Sequence, residues 1–326
     1  MNDFFPLVSI ITTAYNNYCC FEDTVKSVLS QDYPKIEYIV SDDSSANFDR
    51  NKIESIITKY KQENLVNYSV IYHKENVGTV KNLNEAVKKS KGDYIISLSS
   101  EDYFTSNNIV SSIISRMKEN NCEIITYTRI KYNNGKKLYK IPSQFYYNYL
   151  SKLDDCKKQF SALVSCRYYE LASGSSVCFK RTLLEKLGFF DESYVYWEDG
   201  PFFAKCNIEG TVIDKAYDIY GVYYKAGGIS NSKTVSKASV GIKNDSIRFY
   251  SEIINNYSKE LNNNDLRRVK YALERLEANT NSKKMFIKFR YLDVFIQNQI
   301  IKIKIYIAER KEYKILNSRT NNYGKI

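Results

Sequence analysis

Short β-rich runs alternate with amphipathic helical segments through the first hundred residues, and this alternation restricts the possible fold more than any other feature of the sequence. The β-rich runs are Val8 to Thr12, Ile36 to Ser41, Tyr68 to Tyr72 and Tyr94 to Leu98. Between these runs the apolar residues recur at helical spacing. The pattern is typical of a doubly wound α/β domain, in which helices cover both faces of a largely parallel sheet.

The remaining chain divides into a mixed region and a helical region. Through residues 103–235 we expect a helix around Ile113, a strand from Glu123 to Ile130, a hairpin turning at Asn134-Gly135 and a later strand through Val212 to Tyr224. From about residue 240 the pattern is helical to the end. We therefore predict a domain over residues 1–235, with halves 1–102 and 103–235, and a basic helical region over 236–326.

The composition predicts a folded protein that is not stabilised by disulfide bonds or a structural zinc site. Hydrophobic residues make up 43% of the chain, which excludes a wholly disordered protein. The seven cysteines contain no CxxC pair, so we expect reduced, mostly buried thiols and neither a disulfide framework nor a zinc site. Because no long uncharged apolar run or signal peptide is visible, we expect a cytoplasmic protein.

The positive charge is concentrated near the end of the chain. Of the net charge of +11, residues 281–326 hold +8. An apolar stripe runs through them at helical spacing, formed by Met285, Phe289, Leu292, Ile296, Ile300, Ile303 and Ile307. Such a basic amphipathic segment either lies on an anionic membrane or packs on protein. We expect no nucleic-acid partner, since the segment is Ile-rich and no base-reading motif accompanies it.

Polar and acidic residues follow three of the predicted strands, at the sheet edge where open α/β sheets bind ligands. The three sets are Thr13-Ala14-Tyr15-Asn16, Asp42-Asp43-Ser44-Ser45 and Ser99-Ser100-Glu101-Asp102. Adjacent carboxylates can hold a divalent cation. The chain has neither GxGxxG after the first strand nor a P-loop, so a dinucleotide fingerprint does not explain these residues.

Each acidic pair also has a purely structural interpretation. Asp42-Asp43 and Glu101-Asp102 could cap turns and helices, since Asp favours both positions. Tyr15 could be a core aromatic, and Asp199 could pair with a lysine.

Four segments taken in order favour a functional interpretation. "VSIITTAYNN", "YIVSDDSS", "NVGTVKNLNEAVKKSKGDYIISLSSEDYF" and "GFFDESYVYWED" resemble the landmarks of family 2 glycosyltransferases over roughly residues 6–230. The resemblance implies a GT-A fold: an α/β, Rossmann-like mixed central sheet flanked by helices, here with a C-terminal helical extension.

The resemblance also implies a nucleotide site. Tyr15 would stack on the base beside Thr13, Asp43 would bind the base or ribose next to Asp42, and Lys81 would contact the nucleotide or its phosphates. Ala14, Asn16, Ser99 and Ser100 complete the predicted nucleotide-binding residues.

By the same resemblance, Glu101 and Asp102 would bind Mn²⁺ or Mg²⁺, although Ser99 stands where the family has a leading Asp. Asp199 would be the general base, with Glu198 as its neighbour. Lys225 and Ser230 would close over the diphosphate, in a region where some relatives carry a metal-binding His.

The expected activity is therefore metal-dependent, inverting transfer of a sugar from a nucleotide-diphosphate sugar, most commonly a UDP-sugar in this family. The expected acceptor is a glycan or lipid-linked molecule of bacterial surface polysaccharide synthesis, at the inner face of the cytoplasmic membrane, with the oligomeric state open. The alternative is a catalytically degraded scaffold or sugar-binding protein, which Ser99 and the absent His favour.

Overall fold

The β-rich runs of the first hundred residues form strands, and helices separate them. The computed structural model describes residues 5–133, 136–165, 171–225 and 236–318. Its first elements are β1 (Val8–Ala14), α1 (Phe21–Leu29), β2 (Ile36–Asp42), α2 (Arg50–Tyr60), β3 (Leu65–Tyr72), α3 (Thr79–Lys89) and β4 (Tyr94–Ser99). Each strand predicted in this part of the sequence is confirmed, with ends that differ by a few residues.

The middle of the chain has shorter elements. They are β5 (Tyr103–Phe104), α4 (Ile109–Glu119), β6 (Ile124–Asn133), β7 (Lys136–Ile141), α5 (Gln144–Leu150), α6 (Cys156–Val164), β8 (Val177–Lys180), α7 (Arg181–Lys186), α8 (Asp199–Ile208) and β9 (Asp214–Lys225). Strands β6 and β7 pair antiparallel, which confirms the predicted hairpin. Its turn residues, Asn134 and Gly135, lie outside the described residues.

All the described strands belong to one mixed sheet. The order is β3-β2-β1-β4-β8-β6-β9-β5, with β7 on the side of β6. β1 pairs in parallel with β2 and β4, and β2 with β3. β8 then runs antiparallel to both β4 and β6. The parallel part therefore brings the carboxyl ends of β1, β2 and β4 to one edge, as the sequence predicted.

Alternate residues of the strands fill the cores on the two faces of the sheet. Ile10 of β1 packs in one core with α1, α2 and α4. Its neighbour Ile11 packs in the other, with α3, α7 and α8. Successive strand residues point to opposite faces, so strands buried on both faces appear in the sequence as continuous apolar runs.

The C-terminal region is helical, as predicted. It comprises α9 (Lys237–Tyr257), α10 (Asn263–Glu277), α11 (Asn281–Arg290) and α12 (Leu292–Ser318). Phe249 of α9 and Val269 of α10 join the same core as Ile11 of the central strand. The predicted domain limit at residue 235 falls in the range 226–235, outside the described residues, and stays a prediction.

The apolar stripe of α11 and α12 faces outward. Each of its seven residues is exposed, from 47% for Leu292 and Ile300 to 68% for Phe289. The opposite face of the two helices is buried through Ile287, Tyr291 and Val294. Within the described ranges, none of the helices combines the length and the apolar character that crossing a bilayer requires.

Candidate functional site

A cavity of about 410 Å³ opens at the carboxyl ends of β1 and β4, within the size range of small-ligand sites. Eight of the predicted site residues line it: Thr13, Ala14, Tyr15, Asp43, Ser99, Ser100, Glu101 and Glu198. The sequence motifs that lie far apart along the chain therefore meet at one place.

Two tyrosines give the cavity aromatic surface. Tyr15 follows β1 directly and is 44% exposed, so it is not a core aromatic. Tyr196 also lines the cavity, and burial raises its pKa. A Cβ on Gly241 of α9 would lie 2.2 Å from the Tyr196 ring, so a glycine is needed there for the ring to pack on the helix.

Of the Asp42-Asp43 pair, only Asp43 lines the cavity. Its carboxylate accepts hydrogen bonds from the amides of Val77 (2.7 Å) and Gly78 (3.0 Å), and burial raises its pKa. Asp42 is fully buried and accepts hydrogen bonds from the Tyr18 hydroxyl (2.6 Å) and the Ser45 amide (2.7 Å). The Asp42 carboxylate is thus committed to partners inside the protein, and its predicted place in the nucleotide site stays a prediction.

Two further predicted nucleotide residues are not brought to the cavity. Asn16 is exposed, and its side chain accepts a hydrogen bond from the Ala46 amide, while the next residue, Asn17, lines the cavity. Lys81 is exposed on α3, and its charge acts on Glu192 instead. The cavity face of α3 is formed by Thr79, Asn82 and Leu83, and helical spacing turns position 81 away from that face.

Of the two acidic residues that follow β4, Glu101 lines the cavity and Asp102 is buried in the interior. Glu101 lines the cavity and forms an ion pair with Lys225, 2.5 Å away. Burial raises the pKa of Glu101, but Lys225, Asn17 and Cys19 together outweigh this and the pKa lies below its ordinary value. Asp102 is 6% exposed, and burial raises its pKa to about 7 against the opposing charge of Arg129.

Glu101 can therefore serve as a metal ligand from the protein, whereas the predicted second ligand, Asp102, is buried and stays a prediction. The Asp102 carboxylate faces Arg129 and the Lys225 amide in the interior. Mg²⁺ often uses one or two carboxylates together with substrate phosphates and water. A cavity with one acidic ligand at this edge fits such a cation when a diphosphate is bound.

The Glu198-Asp199 pair stands at the start of α8. The Asp199 carboxylate accepts hydrogen bonds from the amides of Gly174 (2.9 Å) and Gly200 (2.7 Å). Glu198 lines the cavity, and burial together with the negative charge of Asp199 raises its pKa to about 8. A Cβ on Gly174 would lie 2.9 Å from Glu198 Oε1, so the close approach requires glycine.

Asp245, a residue that sequence reasoning missed, holds the segment before this pair. It is 5% exposed on α9, and its Oδ2 accepts hydrogen bonds from the amides of Val195 (3.0 Å), Tyr196 (2.7 Å) and Trp197 (3.1 Å). No motif in the sequence marked Asp245, because its partners lie about fifty positions earlier.

Other cavity residues were also missed, namely Asn17, Thr79, Asn82, Leu83, Ser97, Leu98, Gly174, Ser175, Tyr196 and Ile242. Asn17 and Tyr196 lie within two of the recognised motifs, "VSIITTAYNN" and "GFFDESYVYWED", so their position in the chain was a usable signal. Ser230 lies outside the described residues.

The raised pKa of Glu198 predicts a pH dependence of stability that one substitution reduces. Between about pH 4.3, the ordinary glutamate value, and about pH 8, the folded protein holds a proton that the unfolded chain releases. The free energy of unfolding therefore falls as pH rises through this window. In Glu198→Gln this decline should be shallower and should keep only the part that the raised pKa of Asp102 contributes below about pH 7, as measured by urea unfolding from pH 4 to pH 9. The control is Glu209→Gln, which removes an exposed glutamate; parallel curves for wild type and Glu198→Gln would contradict the assignment.

Comparison with known proteins agrees with this geometry. The glycosyl transferase family 2 model matches residues 9–178. An uncharacterised glycosyltransferase of Rickettsia typhi is 30% identical over 207 residues, which are 63% of this chain and 59% of that protein. The chain thus spans less than two thirds of that relative's length. The UDP-Glc:alpha-D-GlcNAc-diphosphoundecaprenol beta-1,3-glucosyltransferase WfaP of Escherichia coli is 39% identical over 107 residues, 33% of this chain and 40% of that protein.

A solved structure shares the fold. The mannosyltransferase PcManGT from Pyrobaculum calidifontis, in complex with GDP-Man and Mn²⁺, aligns with a TM-score of 0.58 and 16% identity, covering 99% of this chain and 89% of that one. The likeness confirms the predicted GT-A fold. Because the family model covers more than half of the sequence, the chain belongs to glycosyl transferase family 2.

Proposed function

We propose that this protein transfers a sugar, with inversion, from a UDP-sugar to a glycan or lipid-linked acceptor in bacterial surface polysaccharide synthesis. The observation that carries the proposal is one cavity that joins an exposed aromatic ring, Tyr15, to the carboxylates of Glu101 and Glu198. The ring suits a nucleotide base, and the carboxylates suit the diphosphate and acceptor ends of the reaction. UDP is favoured because the Escherichia coli relative is named for UDP-Glc.

Glu101 is the residue through which a divalent cation would be held, with Lys225 beside it. Bound there with the donor, the cation would supply positive charge for the leaving diphosphate. Lys225 supplies a positive charge of its own at the same edge, and it can follow the diphosphate because its ammonium sits on a flexible stem.

Asp199 is proposed as the general base. A base must be ionised to remove the proton from an acceptor hydroxyl. Burial, with the negative charge of Asp199 added to it, raises the pKa of Glu198 to about 8, so Glu198 holds its proton near neutral pH and the role of base is assigned to Asp199. The amides of Gly174 and Gly200 stabilise the charged form of Asp199. Attack by the activated hydroxyl in a single displacement inverts the anomeric centre.

The exposed apolar stripe of α11 and α12 suggests where the acceptor lies. The Escherichia coli relative is named for an acceptor linked to diphosphoundecaprenol, a membrane lipid. The apolar stripe is exposed, and Lys283, Lys284, Arg290, Lys302 and Lys304 are exposed close to it along α11 and α12. An amphipathic surface that joins large apolar residues to lysines binds anionic lipid. We therefore assign the stripe to the inner face of the cytoplasmic membrane.

The first prediction from this proposal concerns nucleotide binding. UDP with Mn²⁺ or Mg²⁺ should raise the melting temperature, because a ligand that binds only the folded state stabilises it. Tyr15→Ala should weaken UDP binding about tenfold or more, as expected when a base loses its stacking partner. Thermal shift titrations with UDP, GDP and CDP, each with either metal or EDTA, measure both effects.

The matched control is Tyr72→Ala, which removes a tyrosine of similar exposure, 42%, outside the cavity. Unchanged UDP affinity in Tyr15→Ala would contradict the stacking role. The proposed function would be overturned if none of the three nucleotides raised the melting temperature of the folded wild-type protein.

The second prediction separates binding from chemistry. Asp199→Asn should lower the transfer rate about a hundredfold or more, while the UDP-induced thermal shift remains, because the base acts on the acceptor. The measurement is release of UDP from UDP-glucose in the presence of α-D-GlcNAc-diphosphoundecaprenol, with Asp154→Asn as an exposed control. Equal rates in Asp199→Asn and wild type would contradict the base assignment. UDP binding without transfer to any acceptor by the wild type would favour the sugar-binding scaffold.

The third prediction concerns the membrane. Phe286→Ser combined with Phe289→Ser changes two side chains that are 67% and 68% exposed. The double variant should float with phosphatidylglycerol vesicles at least about tenfold less, because it loses the free energy gained when each ring moves from water into the bilayer. Flotation should also fall with added salt. Val66→Ser with Tyr72→Ser, exposed residues of β3, is the matched control.

Sedimentation of the same variants tests the competing occupant. One result would show that the membrane assignment is wrong and that the stripe is a self-association surface. In that result the wild type sediments as a dimer, the Phe286/Phe289 variant sediments as a monomer, and the two proteins float equally with vesicles.

A further inference from the structure

Two adjacent cysteines lie against the cavity carboxylate, although their spacing in the sequence suggested no metal site. Cys19 is exposed and Cys20 half-buried, where we had expected mostly buried thiols. The Cys19 sulfur lies 3.6 Å from that of Cys20 and 3.1 Å from Glu101 Oε1. We call Cys19, Cys20 and Glu101 the thiol–carboxylate cluster; its three ligand atoms all lie within 4.8 Å of one another.

These distances are close to those of a tetrahedral metal centre. With metal–sulfur bonds of about 2.3 Å, two thiolates of one tetrahedral Zn²⁺ lie about 3.8 Å apart, and a thiolate and a carboxylate oxygen about 3.5 Å. The Cys19–Cys20 and Cys19–Glu101 separations lie within about 0.4 Å of this arrangement. The ligand atoms of Cys20 and Glu101 are no more than 4.8 Å apart, and they would draw together when a metal binds.

The cluster already holds a positive charge. The Lys225 ammonium lies 2.5 Å from Glu101 Oε1 and 3.1 Å from the Cys19 sulfur. This independent observation shows that the same atoms attract a cation. The Lys225 side chain is 38% exposed, so it can turn towards solvent and yield its place.

We propose that the thiol–carboxylate cluster binds one thiophilic divalent cation, Zn²⁺ in the first instance, in competition with the Lys225 ammonium. Cys19 and Cys20 bind as thiolates, each releasing its thiol proton to solvent, and Glu101 supplies an oxygen. Two sulfur ligands select Zn²⁺ over Mg²⁺ or Mn²⁺, which prefer oxygen. The site is distinct in ligand set from the donor cation, yet it uses the same Glu101, so the two cations exclude each other.

Binding is measured on the full chain without nucleotide, so the result is independent of the proposed glycosyl transfer. The probes are Zn²⁺, titrated against a chromogenic chelator, and Cd²⁺, followed by its thiolate charge-transfer absorption, both after removal of reductant under argon. The wild type should bind one equivalent of either metal. Cys19→Ser with Cys20→Ser should abolish the absorption, and Glu101→Gln should weaken Zn²⁺ at least as much as loss of an outer-shell partner, about tenfold.

Lys225→Gln is the decisive variant, because it removes the competing ammonium group and should therefore increase the affinity for Zn²⁺. A site elsewhere in the chain would not respond to this change. The matched control is Cys122→Ser with Cys156→Ser, two half-buried thiols elsewhere, which should leave affinity unchanged. The proposal fails if Cd²⁺ absorption survives the Cys19/Cys20 substitution, if the control pair abolishes it, or if Lys225→Gln weakens Zn²⁺ binding.

Discussion

The path of the chain into Glu198 and Asp199 depends on one buried carboxylate. Asp245 of α9 accepts hydrogen bonds from three successive amides, those of Val195, Tyr196 and Trp197. A buried amide left without an acceptor costs about 1–3 kcal/mol, so Asp245 determines the path of the chain into Glu198 and Asp199. On the other side, Gly78 has φ of 89° and lies so close to Val195 that a Cβ would be 2.6 Å from its side chain. The segment before the proposed base is thus clamped between α3 and the C-terminal helices.

The negative charges around the cavity are partly neutralised within the protein, as the proposed binding of a diphosphate requires. Several ionised carboxylates at one opening would repel an anion. Glu198 keeps its proton to about pH 8, Lys225 neutralises Glu101, and Asp102 is turned into the interior beside Arg129. The Asp199 carboxylate is held by the backbone amides of Gly174 and Gly200. The same arrangement explains why Lys225 is central to both proposals made for this edge, since whichever cation binds Glu101 must replace it.

The sequence predicted the sheet well because strands buried on both faces leave continuous apolar runs, and it located the cavity because parallel strands end at one edge. The sequence did not show which residue of an adjacent acidic pair faces the cavity. Asp42 and Asp43, or Glu101 and Asp102, are chemically equivalent in a sequence, yet one of each pair faces the cavity and the other the interior. Asp245 and Cys19 were missed for another reason: each acts through partners about fifty or eighty positions away, and local spacing carries no signal of such contacts.

The C-terminal region does more than extend the fold, because it links the cavity to the proposed membrane surface. Arg268 of α10 donates hydrogen bonds to Gln297 and Asn298 of α12, and the far end of α12 is fixed to β7, where Glu312 accepts a hydrogen bond from the Lys140 amide (3.0 Å). The helix that carries the stripe is therefore held at both ends to the body that contains the cavity. A stripe fixed in this way would set the orientation of the cavity when it meets a bilayer. An acceptor anchored in lipid would then approach from one direction, and part of its positioning would come from the membrane rather than from contacts within the cavity.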